Sequence, residues 1–382
     1  MIFNKIINPI KELAEHGKLS GVLLVIATGL SLLLSNTPSA PSYLSFWNTE
    51  IGFSFLHKSI LHWVNDGLMP VFFLLVGIEI KREAVQGELS KIRQAVLPVF
   101  AAIGGILAPA YIFYIFNMHD TGTLHGWAIP TATDIAFSLG ILSLLGNRVP
   151  FAVKVFMTAL AIIDDLGAIL IIAIFYSGEL QLTMILLALS IFIIMILFNR
   201  FNVDFPLLYL VLGGLLWYFT MKSGIHPTIA GVLTAFAIPS KMAEELEHLL
   251  EKPVYYLILP LFALANTAIP ISFELAGGMF SGLSMGIILG LLLGKPIGIM
   301  LATVIMIRAN ISQLPTNTKW SHLFGMGLTA GIGFTMSIFI STLSFSTGIM
   351  TDSAKLAILV GSLLAAIGGV VVFRLSPPVP EE

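Results

Sequence analysis

The sequence contains no cysteine, and only 10% of its 382 residues are charged. The absence of cysteine excludes disulfide bonds and thiolate metal sites. The scarcity of charge excludes an ordinary soluble domain, because 57% of the residues are hydrophobic and too few charged side chains remain to cover such a core. The formal net charge of −2 gives no electrostatic case for nucleic-acid binding. A membrane protein with several spans is therefore expected.

Apolar segments recur along the whole chain and predict an all-α membrane protein with about twelve transmembrane helices in a single domain, residues 1–382. These segments lie at residues 19–35, 59–80, 95–117, 122–145, 151–176, 181–199, 205–220, 224–239, 254–271, 280–307, 324–346 and 355–374. The first is expected to be a retained helix and not a cleaved signal peptide, because it lacks a convincing small-residue cleavage site. Residues 36–58 form the loop after it, and we expect a small β-hairpin there with its turn at Asn48-Thr49.

Lysine and arginine are distributed unevenly between the two sides that twelve spans define. Fifteen fall on the side of the termini, and only Lys58, Lys222 and Lys355 fall on the other side. Because positive residues favour the cytoplasmic side of a membrane, both termini are predicted to be cytoplasmic.

The fifth span contains two adjacent carboxylates, Asp164 and Asp165. Asp164 follows Pro150 by 14 residues, or about 21 Å along a helix, which places it near mid-membrane. Each ionisable group at that depth costs roughly 2.5–3.5 kcal/mol on insertion scales, so a functional reason is expected. Neighbouring residues on a helix point about 100° apart, so the two acids cannot share all their partners. The other charges at this depth are Asp134 and Lys295.

The fourth and eleventh spans each contain a predicted break. Pro130 precedes Thr133 and Asp134 in the fourth, and the eleventh contains Gly331 and Gly333. Spans 3–5 and 10–12 start on opposite sides, so their broken middle helices occupy corresponding places in two inverted triples. Interrupted helices in inverted repeats indicate a transport site.

Broken helices bring partly charged helix ends to mid-membrane. Asp134 is expected to balance the positive N-terminal ends, and Lys295 the negative C-terminal ends. Lys295 is also a candidate partner for Asp164. Each of these residues also has a purely structural alternative. Lys295 would be a structural counter-charge, and Asp134 with Thr133 would only balance the helix dipoles. Gly331 and Gly333 would allow close helix packing instead of a break.

Several motifs together resemble the bacterial sodium–proton antiporters typified by NhaA, over nearly the whole chain. They are Pro130–Asp134, Ala161–Gly167, Gly294–Gly298, Gly331–Ser337, Gly77–Glu83 and Leu257–Ala263. Because inverted repeats are a known feature of that family, the repeat relation and the resemblance are not independent evidence.

The resemblance implies electrogenic, pH-regulated exchange of Na⁺ or Li⁺ for protons, with sodium exported and no cofactor. Asp164 and Asp165 correspond to the pair that binds the proton and the cation, with Asp165 the main sodium ligand. Lys295 corresponds to the lysine that pairs with Asp164, and Thr133 and Asp134 to the unwound segment beside the site.

The resemblance also implies a set of pH-response residues and a setting. The set consists of Glu79, Arg82, Glu83, His226, Glu247 and His248. Lys252 stands where a second histidine is expected, which leaves the pH set-point open. A location in the bacterial inner membrane, contact with membrane lipid and a homodimer formed through residues 36–58 are further implications.

Two other functions fit buried acids. An intramembrane aspartyl protease also needs carboxylates in the bilayer that share a proton. The sequence lacks a Gly-x-Gly-Asp motif, however, and Lys295 would compete for the carboxylates. A sodium-coupled symporter for an organic solute is the second alternative, although the acid-rich site offers little to recognise a carbon skeleton.

Overall fold

The computed structural model describes residues 19–53, 56–345 and 348–377, and these residues are largely helical. The first helices are α1 (Leu19–Leu34), α2 (Ala40–Asn48), α3 (Ile60–Val85), α4 (Ile92–Asn117), α5 (Thr121–Thr131), α6 (Ile135–Leu144), α7 (Phe151–Phe175), α8 (Leu182–Arg200) and α9 (Pro206–Lys222). The others are α10 (Thr228–Ala237), α11 (Ser240–Pro253), α12 (Leu259–Asn266), α13 (Phe273–Gly277), α14 (Gly282–Arg308), α15 (Trp320–Ala330), α16 (Phe334–Ser344) and α17 (Ile349–Leu375). Short 3₁₀ turns occur at Glu88–Ser90, Gly146–Arg148 and Gly278–Phe280.

Long apolar helices confirm the membrane character of the chain. Within the described residues, six helices are long and apolar enough to cross a bilayer, namely α3, α4, α7, α8, α14 and α17. Two further spans result if α5 with α6 and α15 with α16 are each counted as one broken helix, and each pair bends by 44°. The breaks predicted in the fourth and eleventh spans are thereby confirmed. Helices α1, α9 and α10 are apolar but shorter.

Residues 36–58 differ from the prediction in one respect. The predicted turn at Asn48-Thr49 is wrong, because Asn48 ends α2. Strands β1 (Glu50–Phe53) and β2 (Leu56–Ser59) instead pair antiparallel with Glu50 opposite Ser59. Asn-Thr is a weak turn sequence, and the helix that begins near Pro41 extends past the predicted first strand.

The ninth predicted span, 254–271, also has different ends. The helical segment begins at Ser240 with α11, continues through a π-helical turn and ends with α12 at Asn266. Residues 267–272 are not helical. Hydropathy alone missed α11 because it contains many charged residues.

Three helical segments contain a π-helical turn at a similar position relative to a proline. The turns are Trp63–Leu68, Val254–Ile258 and Gly290–Gly294, and they end two residues before Pro70, Pro260 and Pro296 respectively. Proline has no N–H, and its ring clashes with the carbonyl four residues earlier, so a wider turn relieves the clash. The carbonyl oxygen of Asp66, four residues before Pro70, accepts a hydrogen bond from Trp217 Nε1 at 2.6 Å.

The described chain divides into two compact units. The first unit comprises the described residues of 19–25, 87–168 and 269–377. The second unit comprises the described residues of 26–86 and 169–268. In the first unit, α4 and α14 meet backbone to backbone, since a Cβ atom built on Gly298 would lie 2.0 Å from the carbonyl oxygen of Gly104. In the second unit, Gly77 and Gly231 allow the same close approach between α3 and α10.

We expect Gly298→Ala to destabilise the protein by about 1–3 kcal/mol, because the new methyl group forces α4 and α14 apart. The measurement is the thermal unfolding midpoint of the purified protein. Gly29→Ala is the matched control, because a Cβ atom there meets nothing within 4 Å. An unchanged midpoint for Gly298→Ala would show that the contact tolerates a methyl group.

Candidate functional site

The residues predicted to form the ion site lie together in the first unit. Helix α7 carries Asp164 and Asp165, α14 carries Lys295, and the segment between α5 and α6 carries Thr133 and Asp134. All five residues are at most 2% exposed.

Asp164 is fixed by two neighbours. Its Oδ2 atom accepts a hydrogen bond from Lys295 Nζ in a buried ion pair, and Thr133 Oγ1 lies 2.7 Å from the same oxygen. Among the described residues, Asp164 Oδ1 has no hydrogen-bond partner. Thr133 Oγ1 also lies 2.8 Å from the carbonyl oxygen of Ala330, and with one hydrogen it donates to only one of these acceptors at a time.

Lys295 directly follows the π-helical turn Gly290–Gly294. Its backbone N–H donates to the carbonyl oxygen of Gly290, five residues back. A π-helical turn holds one more residue than a regular turn, so it changes the direction in which the following side chain leaves the helix. The structure directs this side chain to Asp164.

Asp134 joins the two broken helices. Its Oδ1 atom accepts from the N–H of Phe137 at 2.9 Å, as an N-cap of α6. Its Oδ2 atom accepts from the N–H of Thr335 at 3.2 Å and from the Thr335 hydroxyl, in the first turn of α16. The carboxylate therefore faces the positive ends of both half-helices, as the sequence predicted.

The C-terminal ends of the first half-helices are stabilised differently from the prediction. Lys295 hydrogen-bonds to Asp164, whereas the terminal carbonyls accept from hydroxyl groups. Ser138 Oγ donates to Thr329 O at 2.8 Å, and Ser337 Oγ donates to Ile129 O at 2.7 Å. Small hydroxyl residues four or five positions after a break are the sequence signal that would have identified this pair of contacts.

The predicted pH-response residues occupy two separate places in the second unit. At one end of α3, the Arg82 guanidinium donates a hydrogen bond to the Glu247 carboxylate, and its Nη2 atom lies 3.7 Å from Glu83 Oε1. In the same place, Glu79 Oε1 accepts a hydrogen bond from the Tyr255 hydroxyl at 3.4 Å. Burial raises the pKa of the Glu247 carboxyl, and the Arg82 guanidinium counteracts that rise. His248 is exposed, as is Lys252.

His226 lies away from the Arg82 cluster. Its Nε2 atom is 3.6 Å from Asp66 Oδ1, and its Nδ1 atom is 2.9 Å from Thr228 Oγ1. Asp66 precedes Glu79 by 13 residues on α3, or about 20 Å. The structure therefore does not bring His226 into contact with Arg82 or Glu247.

The sequence matches one known protein family over nearly its whole length. The family model described as Na+/H+ antiporter 1 matches residues 11–373. The chain belongs to the Na+/H+ antiporter 1 family. Similar proteins include Na(+)/H(+) antiporter NhaA 2 of Flavobacterium johnsoniae, 49% identical over 91% of this chain and 88% of that protein. Na(+)/H(+) antiporter NhaA of Flavobacterium psychrophilum is 47% identical over 96% of this chain and 95% of that protein. Na(+)/H(+) antiporter NhaA of Pelagibacter ubique is 42% identical over 94% of this chain and 96% of that protein.

Membership in this family decides between classes of protein. The relatives are antiporters, which are transporters and not enzymes, so the alternative of an intramembrane protease is wrong.

Proposed function

We propose that this family member exchanges Na⁺ or Li⁺ for protons across the membrane and exports sodium. The observation that carries the proposal is the buried pair Asp164 and Asp165 beside two crossing broken helices. Hard cations bind oxygen ligands, which these carboxylates and the Thr133 hydroxyl supply. Protonation removes the charge that holds the cation, so proton and cation compete for one site.

Alternating exposure of that site to the two sides converts competition into exchange. Two carboxylates in one site allow more than one proton to move for each sodium ion, which makes transport electrogenic. The ion pair with Lys295 favours Asp165 as the main sodium ligand, because the Asp164 carboxylate already has a cationic partner.

The proposed topology has twelve spans. It follows if α1, α9, α10 and residues 254–266, which follow α11, cross the membrane together with the eight long or bent spans. The inverted-repeat relation between spans 3–5 and 10–12 is supported by reciprocal contacts. Ser138 of one broken pair bonds to Thr329 of the other, and Ser337 bonds to Ile129.

The proposed setting is the inner membrane of a bacterium, with both termini cytoplasmic and lipid around the spans. A homodimer through residues 36–58 is part of the proposal, because β1 and β2 form an isolated two-stranded hairpin with exposed backbone edges. A hairpin alone is marginally stable, and Trp63 Nε1 holds this one by donating to Ile51 O at 3.0 Å.

Vesicles test the exchange reaction. Inside-out membrane vesicles with an imposed pH gradient receive NaCl, LiCl or KCl, and a dye follows the gradient from neutral to mildly alkaline pH. We expect sodium and lithium to dissipate the gradient and potassium to leave it unchanged. No sodium response at any pH, from protein shown to be inserted, would refute the proposal. Uptake of a labelled organic solute would favour the symporter.

Regulation by pH is proposed for the cluster around Arg82. Arg82→Gln removes the cation that lowers the pKa of the Glu247 carboxyl, so the carboxylate forms only at higher pH. If activation follows that deprotonation, the midpoint of the activity–pH curve moves to higher pH by about one unit. The same vesicle assay measures it, with Arg82→Lys as the control that retains the charge. A shift to lower pH would contradict the assignment.

A further inference from the structure

The C-terminal end of α10 lies within the second unit, and its last residue, Ala237, is buried. Helix α10 has 10 residues, or about 15 Å, which is half the thickness of a bilayer core. The last four carbonyl groups of any helix lack partners within the helix, and they are costly to bury without donors. Such an end needs hydrogen-bond donors from other elements.

Two side chains supply these donors. Lys81 Nζ lies 3.3 Å from Ala235 O and 3.2 Å from Phe236 O, and it also donates to Ile238 O. Asn199 Nδ2 donates to Ala237 O at 2.9 Å, and the fourth carbonyl, Thr234 O, accepts from the N–H of Ile238 at 3.0 Å. The Lys81 ammonium thus places a full positive charge against the negative end of α10.

Lys81 also has a defined relation to the Arg82 cluster. The two basic residues are adjacent on α3 and point about 100° apart, one to the end of α10 and the other to Glu247 on α11. Ile238, which Lys81 holds, lies two residues before Ser240, the first residue of α11. A cavity of about 40 Å³ between α3 and α11 is lined by Lys81, Arg82 and Glu247 among others.

The charged and titratable groups around this place come from α3, from α11 and the turn after it, and from α8. They are Glu79, Arg82 and Glu83 on α3, Glu244, Glu247, His248 and Glu251 on α11, Tyr255 after α11, and Arg200 beside Asn199 on α8. Helix α10 itself contributes no titratable side chain. Five of these groups are glutamates, so the placement of each base affects where they titrate.

We propose that Lys81 is a positioning residue for pH-dependent transport, which holds the end of α10 against α3 and thereby sets the contact between Arg82 and Glu247. This inference rests on the proposed sodium–proton exchange. Loss of Lys81 frees the segment that leads into α11, and Glu247 then moves away from Arg82. The expected consequence is the same as that of weakening the Arg82–Glu247 contact, an activity–pH midpoint at higher pH.

The test is a double-mutant cycle on the midpoint of the activity–pH curve in vesicles. Lys81→Met is expected to raise the midpoint by about half a pH unit or more, and Lys81→Arg to restore it. In an Arg82→Gln background, Lys81→Met is expected to add no further shift. Lys241→Met is the matched control, because it removes an exposed lysine near the start of α11 and is expected to leave the midpoint unchanged.

Other outcomes overturn the proposal. A rate lowered equally at every pH, with no midpoint shift, would mean that Lys81 only stabilises the end of α10. Additive shifts in the Arg82→Gln background would mean that it acts elsewhere. If Lys81→Met does not accumulate, Lys81→Gln retains a donor without the charge, and an unchanged midpoint for it would contradict the role of the ammonium.

A second measurement separates this inference from the function on which it rests. If wild-type protein shows no sodium response, the proposed exchange fails. The same double-mutant cycle is then measured by thermal unfolding. The decrease in unfolding midpoint caused by Lys81→Met is expected to be smaller in the Arg82→Gln background than in the wild-type background. Equal losses in both backgrounds would overturn the coupling between Lys81 and Arg82 independently of transport.

Discussion

Asp165→Asn is expected to abolish sodium-dependent dissipation of a proton gradient while the protein remains folded and inserted. Asparagine keeps nearly the volume of aspartate at a position that is 1% exposed, so packing is preserved. It removes both the negative charge that binds a cation and the group that binds the proton. We expect exchange to fall by at least about 100-fold, equivalent to some 2.7 kcal/mol, at every pH. The vesicle assay with NaCl measures this loss.

The control for Asp165→Asn is Asp204→Asn, which changes an exposed aspartate outside the site and is expected to retain wild-type exchange. The amount of inserted protein is compared by immunoblotting. Exchange near the wild-type rate in Asp165→Asn, at matched protein amounts, would show that this carboxylate is not the ion-binding group. Loss at neutral pH with full recovery at alkaline pH would indicate a role in regulation instead.

Lys295→Met is expected to cause the largest loss of stability among the variants considered. The lysine is 0% exposed and forms an ion pair with Asp164, which is also buried. Removing one partner leaves the other as an uncompensated buried charge, a change that costs about 3–5 kcal/mol. The thermal unfolding midpoint of the purified protein is expected to fall accordingly.

A double variant distinguishes the ion pair from packing of the lysine stem. The double variant combines Asp164→Asn and Lys295→Met, so neither charge of the ion pair remains. It is therefore expected to be more stable than Lys295→Met alone. Exchange is expected to be lost in the double variant, because the site has lost one of its two carboxylates. Equal or lower stability of the double variant would contradict the importance of the ion pair.

The breaks in the two crossing helices were predictable from sequence because their causes are local. Pro130 has no backbone N–H of its own just before the break at residues 132–134, and Gly331 and Gly333 weaken the helix that α15 begins. The π-helical turns are equally local in origin, since each ends two residues before a proline. The helix α11 and the turn after α2 were missed because hydropathy and weak turn propensities do not determine them.

The sequence by itself determined that this is a membrane protein, which helices break, and which four charges lie at depth. These properties depend on composition and on residues close together in the chain. The sequence left Lys295 two roles, as a partner of Asp164, 131 residues away, or as the charge that balances the C-terminal helix ends. Only the tertiary structure decided for the first role and showed that hydroxyl groups stabilise the broken helix ends. The same is true of Lys81, whose contacts with the end of α10 lie more than 150 residues away along the chain. The physical reason is that a buried charge takes whichever partner packing brings within hydrogen-bond distance, and a helix places adjacent side chains about 100° apart, so neighbours in sequence meet different partners.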